Sequence, residues 1–259
     1  MKRMNRLGIS RGLGRRDFQA IAQGGFGDGM NGYAHSMSWF RGKLYVGTTR
    51  GNFPLMKRRL PIAMNPWPVE CPEDPFSLDM RAEIWCYTPE TESWERVFKS
   101  PIIEGSHGRP VPREFGLRGM VVLDHEAADG GPALYVSTFS PAAGPGPLIL
   151  RTEDGRSFDP CCEPGLCGLP VTAIRTMVPF KGRLYSTPAG SRGGNPNVSS
   201  HAIVYECRNP SEGDWQAVSE FGFGDDENRT VFEMQAFGDH LYVGTLNLNG
   251  FQIWRSEME

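Results

Sequence analysis

Hydrophobic and polar positions along the chain repeat as a hairpin. A short run of aromatic and branched residues ending in small ones, Leu44-Tyr45-Val46-Gly47-Thr48, recurs as Leu134-Tyr135-Val136-Ser137-Thr138, Leu184-Tyr185-Ser186-Thr187 and Leu241-Tyr242-Val243-Gly244-Thr245. Each run follows a polar turn: Arg41-Gly42, Asp129-Gly130-Gly131, Lys181-Gly182 or Gly238-Asp239. Each is preceded by another apolar run with a methionine at a fixed place, Met37, Met120, Met177 or Met234. Apolar runs bounded by turn residues read as strands. Copies of one hairpin at intervals of roughly 50 residues mean a repeat architecture.

Two further strands complete each repeat. The first copy continues with Ala82-Glu83-Ile84-Trp85-Cys86-Tyr87 and Trp94-Glu95-Arg96-Val97-Phe98; the second with Leu148-Ile149-Leu150-Arg151; the third with Ala202-Ile203-Val204-Tyr205-Glu206 and Trp215-Gln216-Ala217-Val218; the fourth with Gln252-Ile253-Trp254-Arg255. The fourth copy has no fourth strand after it. A matching segment stands at the other end of the chain. Asp17-Phe18-Gln19-Ala20-Ile21, followed by Gly25-Phe26-Gly27-Asp28, parallels Asp214-Trp215-Gln216-Ala217-Val218, followed by Gly222-Phe223-Gly224-Asp225. Closing a ring with that segment removes the open sheet edges. The expected fold is therefore an all-β, four-bladed β-propeller over residues 17–259, closed by its N-terminal strand. Residues 1–16 form a flexible basic leader.

The recurring Leu-Tyr-Val-Gly-Thr strands and Gly-Phe-Gly-Asp turns, with Arg81-Ala82-Glu83-Ile84-Trp85, resemble kelch- and Asp-box-type propellers, in particular a bacterial group of propeller-repeat proteins. Thr152-Glu153-Asp154-Gly155-Arg156-Ser157-Phe158 looks like a shortened Asp-box. Its Asp caps its own turn, Gly takes a positive φ and the aromatic anchors the next strand. Longer relatives of this type carry further blades, so a truncated five- to seven-bladed ring is the alternative, and a piece lacking blades would have no autonomous function. The resemblance covers nearly the whole chain and specifies fold far better than function.

Composition narrows the picture slightly. Glycine and proline are frequent, 32 and 21 of 259 residues, which suits many short strands and turns. A net charge of −3 gives no reason to expect nucleic acid or a membrane as partner. The leader has no apolar segment after its arginines. Six cysteines without a signal peptide read as reduced thiols in a cytoplasmic protein. Cys161-Cys162 with Cys167 lacks the spacing of a zinc site, so no metal is expected, and no motif identifies a cofactor. Phosphate-loop, dinucleotide-binding, nucleophile-elbow and zinc-protease motifs are all missing. The stretch 50–80, rich in proline, and the Gly-, Asn- and Ser-rich stretch 188–201 read as long loops over one face.

Candidate chemistry lies in the strand before the repeated one, where the copies disagree. One position before the shared methionine stand Ser36, Gly119, Thr176 and Glu233; two before stand His35, Arg118, Arg175 and Phe232. Strand alternation sends these sets to opposite sides unless a bulge intervenes. A charge in an otherwise apolar strand is paired or wet. Arg118 and Arg175 could form a fork for a carboxylate, sulfate or phosphate, with Glu233 and His35 as acid/base groups. Equally, Glu233 could bridge the two arginines in a structural ion pair. Arg50, where the first long loop opens, and Asn247 complete the ligand-binding candidates. The expected function is a binding or scaffold module holding a small anion or a protein loop at the channel mouth. A hydrolase or lyase acting there on a carboxylated or sugar-like substrate is the alternative.

Overall fold

The computed structural model describes residues 12–14, 16–51, 54, 72–74, 77–124, 131–192, 194, 197–199, 201–210 and 212–257. Most of the basic leader, most of the 50–80 loop with its Met56-Lys57-Arg58-Arg59 run, and His125 lie outside them. The chain is all-β. β1 (Asn31–Phe40), β2 (Lys43–Arg50), β3 (Glu83–Thr88) and β4 (Ser93–Lys99) form an antiparallel meander, the first unit. A small hairpin, β5 (Ile102–Glu104) and β6 (Pro110–Pro112), follows. The second unit is β7 (Gly116–Leu123), β8 (Ala133–Phe139), β9 (Ile149–Thr152) and β10 (Asp159–Pro160). The third is β11 (Ala173–Phe180), β12 (Arg183–Ala189), β13 (Tyr205–Cys207) and β14 (Trp215–Ala217). The fourth is β15 (Asn228–Phe237), β16 (His240–Asn247) and β17 (Ile253–Arg255). Among the described residues, no helix is long and apolar enough to cross a membrane.

The first strands pack side by side in the order β1, β7, β11, β15, as the inner strands of propeller blades do. Hydrophobic burial sits between units. One core joins Phe40, Tyr45 and Ile84 of the first unit to Leu117, Met120 and Leu150 of the second. The next joins Leu123, Tyr135 and Ile149 to Ile174, Met177 and Leu184. The third joins Phe180 and Val204 to Val231, Met234 and Leu241. The small residues of the second strand make room for this. A Cβ on Gly47 would stand 2.8 Å from Leu117 Cβ and 3.4 Å from Met120 Cε. The repeated tyrosines follow the same logic: Tyr45 and Tyr135 are buried, whereas Tyr185 and Tyr242 are half-buried.

The 152–158 turn closes as its residues predict. Asp154 Oδ1 accepts the Arg156 and Ser157 N–H groups, and Gly155, at φ 73°, lies against the Tyr45 hydroxyl of the first unit. Left-handed turns precede three units. Phe26 and Phe223 hold φ of 62° and 55°, and Leu166 in Gly165-Leu166-Cys167-Gly168 holds 52°. The strain of a left-handed bulky residue, about 1–2 kcal/mol, is offset by packing: Phe26 stacks on Trp85 at 4.5 Å, Phe223 on Trp254 at 5.1 Å, and Leu166 is buried. The Leu166 turn has no phenylalanine to mark it in the sequence.

The expected ring closure is not made in this structure. Residues 18–21 form no strand and do not pair with β17. The Ile21 carbonyl instead accepts the Trp94 indole N–H of β4, at 2.8 Å, and the Phe26 ring lies across Trp85 and Trp94. The N-terminal segment is thus held on the first unit, while the fourth stands three units away.

Equivalent staples hold the turn and the strand ends of the first and fourth units. In the first, Arg50, 1% exposed, donates to Asp28 Oδ2 at 2.7 Å, Asn31 Oδ1 at 3.0 Å and twice to the Asp79 carbonyl. Asn31 donates to the Gly25 carbonyl and to Glu83. In the fourth, Asn247 donates to Asp225 and Asn228, while Asn228 donates to the Gly222 carbonyl and to Gln252. The register equates Arg50 with Asn247 and Glu83 with Gln252. One staple is ionic and the other is amide.

Breaking a buried pair from one side leaves an uncompensated charge. Arg50→Ala should therefore lower unfolding free energy by about 3–5 kcal/mol, and Asn247→Ala by about 1–2 kcal/mol, both read by denaturant titration. Burial pushes the Glu83 carboxyl up, but hydrogen bonds from Asn31 and Trp85 and the charges of Arg50 and Arg96 outweigh it, so its pKa is lowered below 4.5. A depressed carboxylate stabilises the fold above its unfolded pKa, and that stability is lost as pH falls through the folded value. Stability should accordingly fall as pH is taken below 4.5, and Glu83→Gln should flatten that dependence.

Candidate functional site

A β-bulge interrupts the first hairpin of every unit at the same place. In β1, Ala34 pairs with Thr48 and Ser36 with Gly47, which leaves His35 unpaired. In β7 the extra residue is Arg118, and in β15 it is Phe232. In β11 the irregularity spans Arg175 and Thr176, between the Ile174–Pro188 and Met177–Ser186 pairs. A bulge leaves its extra residue out of the ladder and re-aims its side chain. The four residues two before the shared methionine are therefore freed from simple alternation, each on an inner strand and each one strand from the next.

The structure brings Arg118 and Arg175 together. Arg118 Nη2 donates to Asn197 Oδ1 at 2.6 Å, and Arg175 Nη1 donates to the same oxygen at 3.2 Å. Asn197 comes from the 188–201 loop and closes the fork. Arg175 is also held from the fourth unit: its Nε donates to the Phe232 carbonyl at 2.8 Å, and its guanidinium lies 3.7 Å from the Phe232 ring centre. Arg118 stands 5.6 Å from the Phe139 ring centre. Cations over ring faces at these separations are held by the ring quadrupole. Stacking and the shared acceptor thus fix both guanidinium planes.

His35 completes the row, its Nδ1 2.6 Å from the Thr49 hydroxyl. Desolvation, then the charges of Arg118 and Arg175, push its pKa down to about 4, so the ring is neutral at neutral pH. Burial and the facing Arg175 lower Arg118 to about 10. Arg175 is lowered by burial, opposed by the charge of Glu233.

Glu233 does not bridge the two arginines. It is exposed, its Oε1 accepts the Met234 N–H at 3.2 Å, and no ion pair among the described residues joins it to either arginine. The bridging role expected of it is taken by Asn197. Its equivalents also serve the fold: the Ser36 hydroxyl donates to the Leu117 carbonyl, tying β1 to β7, and Thr176 bonds to Thr187. Arg50 and Asn247 are not brought to the fork, because their polar groups are engaged in the two staples. Sequence reasoning missed Asn197; its one signal was the asparagine-rich loop bordering the mouth. A separate cavity of about 490 Å³ opens between the third and fourth units, lined by Tyr185, Val204, Phe223, Leu241 and Trp254, and none of the expected site residues lines it. Among the described residues, no group of His, Cys, Asp and Glu side chains is placed to hold a metal ion.

No protein-family model matches the chain, and no curated relative matches it. Several solved structures are similar at low identity. The GH74 xyloglucanase of Xanthomonas campestris is 16% identical with a TM-score of 0.41, over 83% of this chain and 26% of that one. The tricorn protease is 14% identical with a TM-score of 0.40, over 84% of this chain and 16% of that one. The native arabinanase of Bacillus subtilis is 13% identical with a TM-score of 0.37, over 85% and 71% of the two chains. The chain thus spans about a quarter of the xyloglucanase and a sixth of the protease.

If two guanidinium groups share one neutral oxygen, a charged oxygen there should serve better. Asn197→Asp should raise stability, because it sets a full opposite charge between the two guanidinium groups, and the gain should shrink in the Arg118→Ala background, where Arg175 alone remains. Paired denaturant titrations check both.

Proposed function

We propose that the chain is a β-propeller module that binds a small anion, a carboxylate or a phosphate, where its inner strands converge. Arg118 and Arg175 are the anion clamp, Asn197 is the group that yields to the ligand, and His35 is the neutral donor beside it. The observation that carries this reading is the single amide oxygen between two guanidinium groups on neighbouring inner strands. An anionic oxygen in its place makes the same bonds and adds the attraction of a full opposite charge to bonds that the guanidinium charges already assist. Free thiols at Cys86, Cys161, Cys162, Cys167 and Cys207 go with a reducing, cytoplasmic setting.

A hydrolase is the second reading, and one observation favours it: the Glu233 carboxylate is exposed and has no ion pair with the fork among the described residues. In that role Glu233 would be the acid/base group and the arginines would hold a substrate carboxylate. Hydrolysis of a glycosidic bond by the two-carboxylate route needs a second acid, and Ser36, Gly119 and Thr176 stand at the equivalent positions. A lone acid suits elimination or water activation next to a bound carboxylate better.

Ligand-induced thermal shift with phosphate, sulfate and small carboxylic acids tests the clamp. Arg118→Ala or Arg175→Ala should each weaken binding about 10- to 100-fold, as the loss of charge-assisted bonds implies; unchanged binding in both overturns the reading. Burial, and after it the charges of Arg118 and Arg175, hold His35 near 4, and a bound anion offsets the second of these. The His35 pKa then rises on binding, protons are taken up, and affinity increases as pH falls toward 4. His35→Gln should remove that increase. Glu233→Gln should leave anion affinity unchanged while abolishing any turnover, which separates clamp from catalyst.

A further inference from the structure

Each joint between units is built from two faces, and the structure leaves one of each kind uncovered. The receiving face carries Phe40, Leu123, Phe180 and Phe237 in the four units. The first three are 2%, 3% and 8% exposed, but Phe237 is 76% exposed. Beside them, Ile84, Ile149 and Tyr205 are buried, whereas their register equivalent Ile253 is 63% exposed. The inserting face carries the shared methionine. Met120, Met177 and Met234 are 7%, 6% and 2% exposed, but Met37 is 55% exposed, with Trp39 beside it. Met120 Cε covers Gly47 at the first joint, whereas a Cβ on Gly244 would meet only Ile253 Cδ1 and the Glu233 carbonyl within 4 Å. The first unit therefore presents a methionine with no pocket, and the fourth a pocket with no methionine.

The strand edges agree. Within the third unit, β14 pairs with β13 through Tyr205–Ala217, Glu206–Gln216 and Cys207–Trp215. The equivalent third strand of the fourth unit, β17, has no partner on its far side among the described residues. The segment equivalent to β14 is 18–20, unpaired and exposed beside the first unit. Carried over by register, it would pair Ile253 with Ala20, Trp254 with Gln19 and Arg255 with Phe18. The two faces of one chain stand at opposite ends of the row β1, β7, β11, β15, so neither covers the other.

We infer that the occupant is a second copy of this chain, joined head to tail: its first unit seats Met37 over Gly244, and its 18–20 segment adds the fourth strand to β17. The contact is heterologous, so it builds a ring if the rotation closes. It reuses a joint that the chain makes three times internally.

Sedimentation velocity on the intact chain gives the mass. Ala20→Cys and Ile253→Cys, made in separately tagged copies and mixed under mild oxidation, give the register. Directly opposed strand positions are within disulfide reach. The expected results are a discrete oligomer and a cross-link between the two tags that neither single variant forms alone. A double variant should cross-link between chains. Met37→Glu lies on an exposed side chain, so it should fold, by circular dichroism, yet sediment as a single chain. A monomeric wild type, a cross-link confined within one chain, an oligomer without the mixed cross-link, or an assembled Met37→Glu variant would each overturn the proposal.

Discussion

Burial between successive units is the constraint on which the rest depends. A single twisted meander of three or four short strands has two faces and cannot cover either alone. Here the main cores lie at the joints, with a methionine from one unit set over a small residue in the one before. Gly47 is small because the neighbouring inner strand passes directly over it. Burial along the chain then follows from position, not from residue type. The repeated tyrosine is buried at the first two joints and half-buried at the third, where Tyr185 lines the cavity between the third and fourth units.

The joints also set where the two arginines meet. Inner strands packed this closely bring consecutive bulges within side-chain reach, so Arg118 and Arg175 converge although they are 57 positions apart in the sequence. Two like charges at that separation are costly, and the surroundings respond in three ways. An amide oxygen stands between them, an aromatic face lies under each, and His35 gives up its proton. The same contacts hold two like charges on neighbouring strands.

Much of the strand pattern was legible from local signals. Alternation and turn residues located the hairpins, and the fixed methionine gave their alignment. What depends on register or on distant partners was not legible. The bulges arise from an extra residue that looks ordinary in the sequence, and they undo the opposition of the two sets of inner-strand side chains. Arg50 looked like a ligand contact because a charge at a loop edge reads as exposed; its partners Asp28, Asn31 and Glu83 come from other strands and turns. The β5–β6 hairpin was hidden by its prolines. Residues 17–21 do match 214–218 in sequence, but likeness does not say which unit lies within reach, and the closure expected from it is not made.

The bulges carry a further consequence. A side chain on a bulge is outside the ladder, so its identity is nearly silent in the pairing energy of the strands around it. Histidine, two arginines and a phenylalanine occupy the same place in four hairpins whose registers are otherwise alike. The framework of the repeat is the same whether that place holds an imidazole, a guanidinium or a phenyl ring.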